Sequence, residues 1–494
     1  MNSGILLWLI LLLPVTGSGF AQLFRSGRGI LSFMNIGVLA DGVLSVLAAK
    51  RVFTSGPLTA LHGWLYLDAL SAYHLIVMML VFVMSSLYGR RYFDEELRTG
   101  DFPPAAARRY GSLWFASIVA MTLVLISNNL GVMWVGMEAT TLVTAFLICV
   151  HSDKDAIEAM WKYLIVCSVG IAFAFMGTIL VAASTSGLPG GMMDSLLWTR
   201  LRATGGLLNP TLMKAGFLFA VVGYGTKAGL APMHTWLPDA HSQAPAPVSA
   251  IFSGFMLNAA LYCIMRYISL LNCVLGSSRF TSDLVLFFGV VSITVAAAFI
   301  LSQHDLKRLL AYHSVEHLGI ITLGLGLGHV GVFAALFHTL NHSVCKSLGF
   351  FCAGSLGKIY QTYDMRKITG VLHISPTWGA GLLGSLLALI GIAPFAFFIS
   401  EFLIVKAAIQ AHAILVLGFF LIGSSAVFVG ALQHVIPIGW GTSSVPDAVR
   451  SDAGPTGNLL VFASLGLLLV LGLWMPDGLR VVLDRAARIV GGLG

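Results

Sequence analysis

Residues 223–250 read GYGTKAGLAPMHTWLPDAHSQAPAPVSA. Lys227 stands in an otherwise apolar helical run. Gly229-Leu230-Ala231-Pro232 interrupts that run at once, and His234 and His241 follow around Trp236-Leu237-Pro238-Asp239. In a hydrocarbon layer a charge and a helix break are each costly, and membrane proteins that keep both in one place use them to move ions.

The composition puts the segment in such a layer. Hydrophobic residues make up 57% of the 494 and charged residues only 10%, with a mean hydropathy of +0.89, values foreign to a soluble domain of this size. Apolar runs of about twenty residues recur, each able to cross a core of about 30 Å. The expected fold class is therefore an all-α polytopic membrane protein, and the 54 glycines suit close helix packing. The net charge of +7 comes from residues scattered through short loops, with no basic run or aromatic-interleaved patch, so lipid is the expected partner and nucleic acid is not. Cys149, Cys167, Cys263, Cys273, Cys345 and Cys352 form no C-x-x-C pair and no iron-sulfur or haem spacing, so no cofactor is expected in the chain. The N-terminal apolar run lacks a basic leading region and passes straight into a second apolar segment, which favours a retained helix over a signal peptide.

Spans are expected roughly at 4–24, 30–49, 67–88, 110–128, 130–150 and 156–184, then, after a Gly-rich connection from Ser186 to Leu207, a broken helix from Pro210 through Ala240 and a helix at 246–271. Further spans follow roughly at 282–302, 308–327, 329–356, 377–409, 412–437 and 457–475, for about fourteen in all. Gly391-Ile392-Ala393-Pro394 echoes the first break, so the chain divides into peripheral helices (1–109), a five-helix unit (110–271), a second unit (282–437) and a last span with a short tail (438–494). Five is odd, so the two units are expected to be inverted with respect to each other. Arg90, Arg91, Arg98, Arg108 and Arg109 share a side with Lys307, Arg308, Lys358, Arg366 and Lys367, which makes that side cytoplasmic and puts both termini opposite.

Glu138, in GVMWVGMEATTLVTAF, has no charged neighbour in its helix and must be protonated, paired or wetted. Lys227 is its natural partner from another helix. The proton affinity of such a pair depends on its separation, which suits a pump; a static pair joining two helices is the plainer alternative. His338, His342 and Lys346, spaced i, i+4, i+8, line one helix face over roughly 12 Å. That ladder suits proton relay or helix packing, and without H-E-x-x-H or a third ligand no metal site is expected. Glu401 follows the second break and ends the charged series, or is a helix-end carboxylate. Lys406, about 140° around the helix from it, snorkels toward an interface. Glu316 and His317 fall in the second helix of the second unit, where Glu138 falls in the first; Lys307 and Arg308 open that helix as anchors, and His313 reads as a packing histidine. His234 and His241 gate access to Lys227 or cap a short helix.

KAGLAPMHTWLPDAHSQAPAPVSA, HDLKRLLAYHS, FHTLNHSVCKSLGFFCAGSL and GIAPFAFFISEF are spread over most of the chain. They resemble the antiporter-like, proton-conducting membrane subunits of respiratory complex I, Mrp cation/proton antiporters and membrane-bound nickel-iron hydrogenases. GYGTKAGLAPMHTWLPDAH and AYHSVEHLGI look most like the hydrogenase-4 branch, component F. The resemblance implies a proton-translocating subunit of a hydrogenase-4-like or complex I-like oxidoreductase complex in the inner (plasma) membrane. Other membrane and peripheral subunits would then handle the electrons. A standalone or Mrp-like exchanger of Na⁺ or K⁺ for protons and a non-conducting scaffold are the alternatives. It further implies that Glu138 and Lys227 match the family's glutamate and broken-helix lysine, His338 its connecting histidine and Glu401 its terminal charged residue. The family's bridging lysine or histidine falls here on Asn258 or Ser253. Neither carries a proton as lysine does, so the link to His338 runs through water at Asn258, is weaker, or does not exist.

Overall fold

The computed structural model describes residues 3–186, 195–443, 445–446 and 452–492; part of the Gly-rich connection lies outside these. In chain order the helices are α1 (Ser3–Phe20), α2 (Gly27–Ser55), α3 (Ala69–Tyr92), α4 (Asp94–Thr99), α5 (Pro104–Ile126), α6 (Leu130–Ile148), α7 (Lys154–Ser184), α8 (Trp198–Ala203), α9 (Pro210–Ala228), α10 (Trp236–Gln243) and α11 (Ala246–Ile251). They continue as α12 (Leu257–Leu275), α13 (Arg279–Leu301), α14 (Leu306–Gly326), α15 (Gly328–Tyr360), α16 (Val371–Ile374), α17 (Pro376–Leu389), α18 (Ala396–Gln410), α19 (Ile414–Trp440), α20 (Gly454–Leu473) and α21 (Asp477–Val490). A π turn, Phe252–Met256, joins α11 to α12. A small antiparallel hairpin, β1 (Leu58–Ala60) with β2 (Leu65–Leu67), departs from the all-helical expectation.

Ten helices among the described residues are long and apolar enough to cross a membrane, and the chain is a multi-pass membrane protein. Helices α9, α14 and α15 are long enough too, but carry the buried lysines, histidines and glutamate. Caps fix where many helices start: Ser26, Asp68, Asn129, Asp153, Asn209 and Asp305 each accept a hydrogen bond from a first-turn amide.

Both expected breaks are present. At the first, Gly229 takes φ +78° and ends α9; at the second, Gly391 takes φ +69° after α17. Groups freed at the first break are satisfied by side chains: the Trp236 indole donates to Thr226 O at 2.9 Å, and Ala231 N donates to Ser292 Oγ at 3.0 Å.

The basic loops meet on one face. There Glu96 accepts from Lys358 at 2.6 Å and pairs with His151 at 2.9 Å, while Asp239 accepts from Lys162 at 3.0 Å and from Arg308. Both described ends lie at the opposite face, with Gly4 beside Thr59 and Gly492 beside Cys273. Helix α9 starts at that opposite face, where Asn209 N bonds Ser184 O, and α10 ends among the basic loops at Asp239. Helix α17 runs the other way, from the basic face, where Thr377 bonds Asn458 near the start of α20, toward α18, whose Ile404 packs on Gly324 at the far end of α14.

Helix α21 was expected only as a tail. It buries Leu483, Ala486, Ala487 and Val490 and lies across helix ends. Ser269 of α12 donates to Ile489 O, His329 of α15 pairs with Asp484 at 3.0 Å, and Arg485 donates to Phe53 O of α2 at 2.7 Å.

Candidate functional site

Lys227 is the penultimate residue of α9 and is fully buried. Helices α7 and α9 meet backbone to backbone, so that a Cβ on Gly177 would stand 2.6 Å from Gly216 O. This approach carries Tyr163 of α7 to the lysine. The Lys227 ammonium donates to Tyr163 OH at 2.5 Å and to Thr141 Oγ1 at 2.9 Å, and lies over the Tyr163 ring at 4.5 Å. Tyr163 OH in turn bonds Thr144 Oγ1 at 2.6 Å. Glu138, one turn before Thr141 on α6, does not reach Lys227: it accepts from Ser168 Oγ at 3.0 Å, and its Oε2 is buried without a partner among the described residues. The direct pair expected from the sequence is replaced by two hydroxyls: Thr141 and Tyr163 take the ammonium's hydrogen bonds, and Ser168 bonds the carboxylate.

The second half holds a different network. His313 Nδ1 lies 2.9 Å from Glu316 Oε2, which is 3.9 Å from His317 Nε2. His317 Nδ1 lies 2.9 Å from His338 Nε2, and His338 Nδ1 lies 2.9 Å from Ser400 Oγ. The hydrogen bonds form two pieces, His313 with Glu316 and His317 with His338 and Ser400; Glu316 and His317 face each other across 3.9 Å, with His317 Nε2 unbonded among the described residues. A carboxylate oxygen of Glu401, ring nitrogens of His317 and His338, and each other lie within 4.8 Å, as do His313, Glu316 and His317; either trio is close enough to hold a metal ion. Phe397 closes over the rings, 4.9 Å from His317 and 5.0 Å from His338. Glu401 is half-buried and rests on Gly391, where a Cβ would strike its carboxylate. Lys406 is exposed.

Along α15 the ladder is not bonded rung to rung. Lys346 is fully buried and donates to Leu310 O. His342 is fully buried with neither ring nitrogen partnered among the described residues, its ring 5.8 Å from His317. Asn258 donates to Gly254 O at 3.1 Å and to Ser343 Oγ at 3.2 Å, and Ser253 Oγ meets Ser314 Oγ at 2.7 Å. Lys307 is buried at the basic face, donating to Ser242 O at 2.8 Å and Ala244 O at 2.5 Å. His234 lies near that face, 6.2 Å from the Tyr312 ring, and His241 is fully buried on α10. His313, expected as packing, is bonded to Glu316.

Sequence reasoning missed Tyr163, Thr141, Ser168 and Ser400. Hydroxyl residues in apolar helices are ordinary, and only the packing of α6, α7 and α9 together and of α15 with α18 brings these four to titratable side chains.

A sequence profile described as NADH:quinone oxidoreductase/Mrp antiporter, TM matches residues 127–427, more than half of the chain. The hydrogenase-4 component F homolog of Methylacidiphilum infernorum is 34% identical over 418 residues, 84% of this chain and 86% of that protein. The structure is similar to a chain of the membrane-bound sulfane sulfur reductase (MBS), an archaeal respiratory membrane complex, with a TM-score of 0.88 at 23% identity over 99% of this chain and 98% of that one. It is also similar to a chain of the Mrp complex from Dietzia sp. DQ12-45-1b, with a TM-score of 0.83 at 18% identity over 99% and 97%.

Proposed function

The chain belongs to the NADH:quinone oxidoreductase/Mrp antiporter transmembrane family, and from that premise we propose that it translocates protons as the membrane subunit of a hydrogenase-4-like or complex I-like redox complex. The observation that carries this reading is the buried run from His313 through Glu316, His317 and His338 to Ser400, with Glu401 beside it. A static scaffold has no use for so many titratable groups inside a membrane. Lys227 and Glu138 form the other end of the line. Because hydroxyls rather than Glu138 hold the ammonium, a small shift of α6 against α9 changes the distance between the two charges and with it the proton affinity of the pair.

The opposite runs of the two broken helices support an inverted repeat of units 110–271 and 282–437 in a chain of about fourteen crossings. The basic face is cytoplasmic by the distribution of Lys and Arg, which puts both termini outside an inner (plasma) membrane. Similarity to a component of hydrogenase-4 and to chains of multi-subunit complexes supports membrane and peripheral partner subunits, which carry the redox chemistry.

The test is Lys227→Ala and Glu138→Ala in the assembled complex. Both lose proton pumping and keep the soluble redox half-reaction. Unchanged proton stoichiometry in both variants overturns the reading. Na⁺-driven collapse of a pH gradient by the isolated chain in liposomes would point instead to an Mrp-like exchanger.

A further inference from the structure

We propose that His241 is the proton-carrying station between Lys227 and the Lys346–His342 end of the second network. This rests on the pumping role above and adds to it the group that joins the two halves.

His241 is fully buried, and neither ring nitrogen has a hydrogen-bond partner among the described residues. Leaving buried polar atoms unpaired carries a desolvation cost. A phenyl ring would fill the same slot without that cost, because the imidazole stacks on Phe350 at 5.3 Å and faces the edge of Phe252 at 6.0 Å. Packing therefore does not explain a histidine here.

Its position does. Phe252 has its other neighbour in Tyr163, ring centres 5.9 Å apart, and Tyr163 takes the hydrogen bond of Lys227. Phe350 lies 5.5 Å below the Lys346 ammonium. His241 is within electrostatic reach of Lys346, Lys307 and His342. Asn258 and Ser253, the other polar side chains between the halves considered above, offer an amide and a hydroxyl, neither of which accepts a proton near neutral pH.

The backbone around His241 is fastened while its ring is not. Ser249 Oγ donates to His241 O at 2.8 Å, and Lys307 grips the carbonyls of Ser242 and Ala244. With the backbone held, side-chain rotation is the motion left to the imidazole, and the turn from the Tyr163 side to the Lys346 side is assigned to it. Water carries the proton past the two phenyl rings: a protonated water on the Tyr163 side gives its proton to the bare ring nitrogen, and the imidazolium releases the proton of its other nitrogen to a water on the Lys346 side. It is neutral before and after, and rotation restores the starting tautomer.

The experiment uses inside-out membrane vesicles carrying the assembled complex, energised by the electron donor that its co-purified redox subunits oxidise. Acidification is read with a fluorescent amine. With His241→Phe, copurification of the partner subunits and the uncoupled redox rate stay within about twofold of the parent, while pumping falls about a hundredfold or more, the lower end of the range for losing a general acid–base group. Adding Asn258→Lys to His241→Phe restores part of the pumping, since position 258 already touches Ser343 beside His342. Parental pumping in His241→Phe overturns the proposal. If that variant does not assemble, His241→Gln is judged by the same two readouts. Lys227→Ala is measured alongside: if it too pumps normally, the pumping role itself falls, whereas loss in Lys227→Ala with none in His241→Phe removes only this assignment.

Discussion

The two broken helices carry their charges differently. In the first, the ammonium of Lys227 sits before the break in a cage of neutral hydroxyls, with Glu138 held apart on Ser168. In the second, the carboxylate of Glu401 sits after the break, on the glycine of the break itself, beside imidazoles that bond directly to one another. A caged lysine stores one charge whose stability depends on a distant carboxylate. A chain of imidazoles stores little and passes protons along, because each ring both accepts and donates. Under the proposed pumping role the halves would divide the labour between setting a charge and conducting one.

The comparison is broken most severely by His338→Ala with Glu401→Gln. This double variant loses pumping outright while the redox half-reaction continues, as vesicle acidification measured beside electron transfer will show. If the hydroxyl cage only positions Lys227, Tyr163→Phe with Thr141→Val has a smaller effect, lowering the pumping rate several-fold without abolishing it; a loss equal to that of Lys227→Ala would mean that the hydroxyls themselves carry the proton. Gly229→Ala and Gly391→Ala sharpen the contrast further. Each forces a Cβ into a left-handed backbone and destabilises the complex by about 1 kcal/mol or more, seen as a lower melting temperature. At position 229 the new methyl meets only the movable Leu237 side chain, so pumping per assembled complex survives; at 391 it meets the Glu401 carboxylate, so pumping falls.

The smallest effect lies outside the membrane, at Glu96. Burial alone would push its carboxyl up, but hydrogen bonds from His151 and Lys358 outweigh burial and hold it below the usual range. A lowered folded value means that its stabilisation is fully present above the unfolded carboxylate's pKa of about 4.3 and disappears as pH falls through the lower folded value. Glu96→Gln therefore costs at most about 1 kcal/mol at neutral pH. The gap in melting temperature between variant and parent closes on acidification.

Apolar run length was enough to place the main helices, because a membrane span has to be long and continuous. The two breaks were legible because Gly-x-Ala-Pro leaves helical backbone few options. Lys227, Glu138, His338 and Glu401 stood out because charge in an apolar run is rare. Their partners were not legible: Tyr163 is 64 residues from Lys227 and Thr141 is 86, and only tertiary packing selects them from many similar residues. The same holds for Ser400, 62 residues from His338. Helix α21 had a readable sign in Leu483, Ala486, Ala487 and Val490, spaced three, four and seven residues after the first. A search for long apolar spans passes over so short an amphipathic stretch.

That helix has a mechanical meaning. By fastening α2, α12 and α15 together at one face, α21 makes that face a fulcrum. Any tilt between the helices is smallest there and grows across the thickness of the membrane toward the basic face, where α10 meets α14 through Asp239 and Arg308. A force applied at the basic face would therefore act with the longest arm on the helices that α21 holds.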